Sequence, residues 1–221
     1  STVAMNSSIM KNINGLNVYK NMLTREGYAR FDQAEKNLTT DELTILNDSL
    51  NKNKKQLLDH IAFDLTLKAD IEGQGEQTVT ELLNPSQLDM YLDDATLNKV
   101  RTFKNLKVAR FHNGSVDLLD ATLNNNILSF TTDRFSTYAI VDLKDFEVAT
   151  EPTANQGLKY TGAEQIGVEE KEGYILTDNK ATAVGNYTAT ATLKPGYKWP
   201  DGTTVDKTIP WSIAKGEQGA P

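Results

Sequence analysis

From His60 onward the hydrophobic period is two. Ile61, Phe63, Leu65, Leu67, Ala69 and Ile71 alternate with His60, Ala62, Asp64, Thr66, Lys68 and Asp70, the pattern of a strand that buries one face and wets the other. The period returns at Leu88, Met90 and Leu92. Further strands are expected at Thr78 to Leu83, Leu106 to His112, Val116 to Leu119, Ile127 to Thr132 and Thr137 to Leu143. Between them lie Gly73-Gln74-Gly75, Asn113-Gly114 and Asn124-Asn125-Asn126. Asn-Gly is a strong hairpin signal, because both residues accept the positive φ of a tight turn. Short strands joined by turns, without crossover helices, point to antiparallel sheets packed as a sandwich.

The stretch before His60 reads differently. Thr39 and Glu42 have the spacing of a capping box, and Leu43, Leu46 and Leu50 follow at helical spacing, so a helix is expected at Thr40 to Asn51. Residues 1–37 are rich in Asn and only weakly periodic, with short helices expected around Val18 to Lys36. Residues 1–57 are accordingly expected to be a poorly ordered or helical N-terminal segment, followed by a first β-sandwich domain at 58–148.

Residues 149–157, Ala-Thr-Glu-Pro-Thr-Ala-Asn-Gln-Gly, are small, polar and broken by Pro152, and read as a linker. Beyond it Tyr187, Ala189, Ala191 and Leu193 alternate with threonines, and Ile209, Trp211 and Ile213 repeat the pattern. A second domain at 158–215 is implied, with a tail at 216–221. At about 60 residues it buries little of its surface and is marginal on its own. Tyr160, Tyr174, Tyr187, Tyr197, Trp199 and Trp211 are the large rings from which it can build a core. The expected fold class is therefore mainly β: two antiparallel, Ig-like β-sandwich domains with a short helical N-terminal segment.

Several ordered elements of 157–215 carry a resemblance: Leu158-Lys159-Tyr160-Thr161-Gly162, Gly173-Tyr174-Ile175-Leu176-Thr177, Gly185-Asn186-Tyr187, Gly196-Tyr197-Lys198-Trp199, Asp201-Gly202 and Trp211-Ser212-Ile213. Together they resemble a short Ig-like repeat of large surface proteins of Gram-positive gut bacteria. Val108-Ala109-Arg110-Phe111-His112-Asn113-Gly114 and Phe130-Thr131-Thr132-Asp133-Arg134-Phe135-Ser136-Thr137-Tyr138-Ala139 resemble the end of a β-sandwich module found beside such repeats. The resemblance implies a spacer or adhesion module outside the cell, on the surface or the wall, with a host or cell-wall glycan or protein as partner. It implies no catalytic residue. The expected state is a monomeric module within a longer chain, whose leader has been removed or lies outside these residues.

Composition narrows the chemistry. A net charge of -7 without a Lys/Arg cluster argues against nucleic acid, whose binding requires displaced counterions. Lys52, Lys54 and Lys55 fall at a helix end, where the dipole favours cations. The chain has no cysteine, which removes disulfides, thiolate metal sites and thiol nucleophiles. No apolar run is long enough for a membrane-spanning helix, so no membrane insertion is expected.

The two histidines, His60 and His112, lack a ligand-spaced partner and read as ordinary strand residues. Ser136 sits in no nucleophile elbow and is expected to satisfy backbone groups. Asp93-Asp94, Asp117 with Asp120, and Glu169-Glu170 are paired carboxylates without a calcium-loop spacing, and read as solvated loop ends rather than a glycosidase pair or a Ca²⁺ site. A Lys–Asn cross-link beside a carboxylate is a resource of surface Ig-like domains that spacing alone does not reveal. Tyr197 and Trp199 alternate beside Lys198, Pro200 and Asp201 and are the candidate ligand-binding residues, as a platform for stacking sugars. Core packing is the favoured use of both rings, because so small a domain has few other large residues with which to build its interior. No cofactor and no catalytic or metal site is expected, and the activity expected is structural or adhesive, with a carbohydrate-binding module as the alternative.

Overall fold

The computed structural model describes residues 1–18 and 28–216. The expected helices around Val18 to Lys36 fall partly, and the tail at 216–221 almost wholly, outside the described residues. The chain is mainly β, built of antiparallel sheets with few helices, and divides into two compact units, 1–144 and 145–221.

The first unit contains β1 (Thr2–Val3), α1 (Ser7–Met10), β2 (Ala29–Lys36), α2 (Thr40–Lys52), β3 (Lys55–Ile71), β4 (Gly75–Val79), β5 (Glu81–Tyr91), α3 (Asp94–Val100), β6 (Leu106–His112), β7 (Ser115–Asn124), β8 (Ile127–Arg134) and β9 (Thr137–Asp145). These strands form one nine-stranded sheet in the order β1-β5-β8-β7-β6-β9-β3-β2, with β4 also paired to β3. Strands β1 and β2, the two ends of that order, lie against each other, so the sheet is nearly closed. Strand β7 makes the corner: Lys107↔Asp120 is its last pair with β6 on that side, and Ala121↔Phe130 begins its pairing with β8. The Asn113-Gly114 turn forms as expected, with φ of 47° and 75°.

The enclosed core gathers Phe63, Leu65, Leu67, Leu88, Met90, Leu128, Phe130, Tyr138 and Ile140. A second core lies on the opposite face of the same sheet, where Leu46 and Leu50 of α2 pack on Ala62, Ala109, Phe111, Ala139, Val141 and Leu143. Strand β9 is therefore buried on both faces. That is why Tyr138-Ala139-Ile140-Val141 is an unbroken apolar run rather than an alternation.

The helix begins as the sequence requires. Thr39 Oγ1 accepts from the Glu42 N–H at 3.1 Å, and Glu42 Oε1 accepts from the Thr39 N–H at 2.9 Å. The N-terminal residues differ from expectation. Ala29–Lys36 is not helical but a strand, paired antiparallel to β3 from Ala29↔Ala69 to Lys36↔Ala62. An edge strand with one wet face needs few apolar residues, so its local pattern is faint, and the partner strand decides its conformation. Val3, Ile9 and Ile13 also join the enclosed core.

The second unit contains β10 (Glu147–Val148), β11 (Gln165–Ile166), β12 (Tyr174–Thr177), β13 (Lys180–Ala181), β14 (Gly185–Leu193), β15 (Tyr197–Lys198) and β16 (Lys207–Ile213). A three-stranded antiparallel sheet, β12-β14-β16, carries it, with the short pairs β11-β13 and β10-β15 beside it. The pair β10-β15 is parallel, as is the bridge Lys159↔Ala214. Its core is Ala149, Val168, Tyr174, Ala189, Ala191, Trp199, Ile209, Trp211 and Ile213. Residues 149–157, expected as a free linker, are instead bonded into this unit. Ala149 is buried and donates to Lys198 O at 2.8 Å, and Asn155 N–H donates to Gly167 O at 2.7 Å. Pro152 has no N–H to give to a ladder, but the other backbone groups of the stretch can still dock.

Candidate functional site

Trp199 and Tyr197 do not form a platform. Trp199 is 0% exposed, its ring centroid lies 5.8 Å from that of Tyr174, and its Nε1–H donates to Val205 O at 2.6 Å. Above the ring sits Lys207 Nζ at 5.2 Å from the centroid. The indole thus has no face open to a sugar. Tyr197 is half-buried, with its hydroxyl donating to Glu172 Oε1 at 3.3 Å. Its ring lies so close to Gly173 that a Cβ there would stand 2.6 Å from Cδ1. A unit this small uses its large rings as core, and the alternation that suggested a platform is the alternation of a strand that buries one of them.

His60 lines an open cleft of about 410 Å³ with Glu35, Lys36, Asn37, Ile61 and Lys99. The cleft lies where β3 runs on past Lys36↔Ala62, its last pair with β2. There the backbone is capped by side chains. His60 N–H donates to Asp59 Oδ1 at 2.8 Å, Lys99 Nζ donates to His60 O at 3.1 Å, and Lys99 and Asp59 pair at 3.1 Å. Burial, and then the Lys99 charge, push the His60 imidazole below its ordinary range, against the opposing pull of Asp59. The hydrogen bond of the neighbouring carboxylate goes to the strand backbone rather than to the ring nitrogens.

The remaining candidates carry backbone work. His112 Nε2 meets Asn113 Nδ2 at 3.1 Å in the hairpin turn, and Ser136 Oγ donates to Phe111 O at 2.5 Å. Asp93 caps α3 by accepting the Thr96 N–H at 2.8 Å, which holds its carboxyl well below the usual carboxylate range. Asp120 pairs with Lys107, and Asp117 with Arg110 at 2.9 Å. Glu169 and Glu170 are exposed. Among the described residues no three His, Asp or Glu side chains gather as a metal ion would need.

Two polar groupings were not legible in the sequence. The first surrounds Arg110, whose guanidinium donates to Thr132 Oγ1 at 2.9 Å and to Asp133 Oδ1 at 3.1 Å in addition to Asp117. Thr132 Oγ1 lies 2.8 Å from the hydroxyl of Tyr138, which also donates to Arg134 O. Burial pushes the Tyr138 phenol up to about 12.

The second grouping lies where β7 parts from β8. A cleft of about 430 Å³ opens there, lined on its open side by Gln87, Asp120, Thr122, Ser129 and Thr131. On the same sheet face Asp89 Oδ1 accepts from Ser129 Oγ at 2.7 Å and from Gln87 Nε2 at 3.0 Å, and Tyr91 follows, 43% exposed. Cross-strand register joins three strands into this face: Gln87↔Thr131, Asp89↔Ser129↔Thr122 and Tyr91↔Ile127↔Asn124. Only the register brings these residues together, so no linear pattern announces them. The arrangement offers hydroxyl, amide and carboxylate hydrogen-bonding groups.

Comparison with protein-family models, curated proteins and solved structures finds no match. Among the described residues no helix is long and apolar enough to cross a membrane.

Proposed function

We propose that this chain is a non-catalytic, load-bearing and adhesive module of a bacterial cell-surface protein, held outside the cell or on its wall. On this reading its partner is a host or cell-wall glycan or protein, and both units are antiparallel, Ig-like sandwiches. Support for the sandwich reading comes from tyrosine hydroxyls that bond back to the chain a few residues upstream, Tyr138 to Arg134 O and Tyr187 to Ala183 O at 2.6 Å. Such corners recur in sandwich domains.

The observation that carries the load-bearing reading is the parallel contact, in the second unit, between residues 158–160 and Ala214, near the end of the described chain. Tyr160 N–H donates to Ala214 O at 2.8 Å, and Ala214 N–H donates to Leu158 O at 2.9 Å. Upstream, Glu147 and Val148 pair in parallel with Tyr197 and Lys198. Tension pulls the incoming segment toward its N-terminal end and the outgoing one toward its C-terminal end. Between parallel segments those pulls are opposed along the strand, so the bonds are sheared together. Antiparallel neighbours would be peeled one bond at a time.

Single-molecule pulling on the whole chain between handles tests this. Two unfolding steps are expected, and Ala214→Pro, which removes the N–H bonded to Leu158, should lower the force of the shorter step alone. An unchanged force in that step would remove the basis of the reading. The alternative, a carbohydrate-binding module resting on Tyr197 and Trp199, is disfavoured by the burial of Trp199.

A further inference from the structure

We propose that the open face of β5, β8 and β7 binds an uncharged oligosaccharide, with Tyr91 as the stacking ring and Asp89 as the fixed hydrogen-bond acceptor. The inference deepens the adhesive side of the surface-module reading by assigning it a site and a ligand class.

Three observations carry it. Asp89 is held in place before any ligand arrives, since Ser129 and Gln87 both donate to its Oδ1. A carboxylate fixed in this way meets a sugar hydroxyl without the ordering cost of a free surface side chain. Beside it lies the cleft of about 430 Å³ at the β7 corner, rimmed by Asp120 and the hydroxyls of Thr122, Ser129 and Thr131. Sugars need such a set of convergent hydrogen-bonding groups. Finally, Tyr91 presents an exposed ring on the same face, four residues from Gln87, or about 14 Å at the rise of an antiparallel strand. A short oligosaccharide spans that length from cleft to ring.

The charges select among ligands. Asp89 and Asp120 stand on or beside the face, none of the cleft-lining residues is basic, and the nearby Lys107 amine is already paired with Asp120. Sulfated, sialylated or uronate sugars would be repelled. A protein partner would need a cluster of apolar anchors, and among the described residues these registers place only Tyr91 and the half-buried Ile127 on this face.

Titration of the isotope-labelled whole chain, followed by amide chemical shifts, tests the proposal with maltotetraose and chitotetraose as neutral probes and tetragalacturonate as the anionic one. At least one neutral probe should shift the amides of Asp89, Tyr91, Thr122 and Ser129, while the anionic probe leaves them in place. Asp89→Asn retains an oxygen for Ser129 and should still fold; it and Tyr91→Ala should each weaken binding about tenfold, roughly the loss of one good polar or stacking contact. Which neutral probe binds assigns plain hexose or N-acetylhexosamine as the class. Silence from both neutral probes, shifts confined to other surfaces, equal binding of tetragalacturonate, or binding unaffected by both substitutions would overturn the site. Failure here leaves the pulling experiment on the second unit independent.

Discussion

The two units solve the same problem with different means. The first has enough chain to bury a sheet on both faces, with Phe63, Leu88 and Leu128 enclosed on one side and Leu46 and Leu50 of α2 covering the other. The second has three strands of any length and a single small core, yet it orders long non-ladder stretches. It does so through aromatic rings whose polar tips bond loop carbonyls: Tyr174 to Glu169 O at 3.0 Å, Trp199 to Val205 O at 2.6 Å and Trp211 to Asp178 O at 3.0 Å. Each ring supplies buried area and a backbone tether at once. A unit short of strands can hold its loops in this way, but each ring then becomes hard to replace or displace.

The severest test of that difference is Gly167→Ala. A Cβ at Gly167 would sit 1.9 Å from Trp211 Cδ2, and the ring cannot retreat because it stacks on Tyr187 at 4.5 Å and is tethered to Asp178. Overpacking ordinarily costs about 1–3 kcal/mol and more where nothing can yield, so the second unit should not remain folded. Both tryptophans of the chain, Trp199 and Trp211, belong to this unit. Tryptophan emission should therefore lose its native signal at ambient temperature, while the circular-dichroism transition of the first unit persists. A variant whose emission still unfolds cooperatively at the parent temperature would break the contrast.

Alkali tests the first unit at Tyr138. Its phenol is raised from 10.0 to about 12, chiefly by burial and against the pull of Thr132 and Arg110. The folded state therefore keeps a proton that the unfolded chain loses between those values, and stability falls as pH rises through that window. Two pKa units correspond to on the order of 3 kcal/mol. Tyr174 of the second unit is raised as well, so the comparison requires Tyr138→Phe. Urea unfolding of the first unit should lose most of its alkaline sensitivity in that variant. An unchanged pH dependence would mean that another group titrates.

Arg110→Ala is expected to cost the first unit about 2 kcal/mol, less than for a fully buried pair because Asp117 and Asp133 are partly solvated. Denaturant midpoints should fall in the first unit's transition only. Restoration by Arg110→Lys should be incomplete, since one amine cannot reach Thr132, Asp117 and Asp133 together.

Much of this was legible in the sequence where a residue's neighbours in the chain are also its neighbours in space. The alternation from Ile61 to Ile71, the Asn113-Gly114 turn and the Thr39/Glu42 cap are of that kind, and each forms. Strand β2 was missed because its conformation is set by β3, some thirty residues on. Trp199 and Tyr197 were visible as rings, but whether a ring faces core or solvent depends on how much other apolar mass the unit owns. The face of Asp89, Ser129 and Thr122 was invisible, since its members come from three strands and share only a register. Lys99 closing the β3 edge at His60 is likewise a contact between α3 and a strand far from it in sequence.

The smallest effect sharpens the comparison at the outer core of the first unit. Thr39→Ala removes the hydroxyl that accepts the Glu42 N–H, and loss of such a cap costs about 1 kcal/mol. Helix α2 covers only the outer face, so the enclosed core should survive and the loss should appear as fraying. Glu42 also holds Lys36 Nζ at 3.0 Å, which ties the end of β2 to the start of the helix. Hydrogen exchange in Thr39→Ala should therefore quicken at the first turn of α2 and at the Lys36 end of β2, while the amides of Phe63 and Leu65 keep their protection. If those inner amides exchange faster by the same factor, the two cores open as one cooperative body, and burying a sheet on both faces has fused the layers. Unequal exchange would mean that α2 is a separable cover over an independently stable interior.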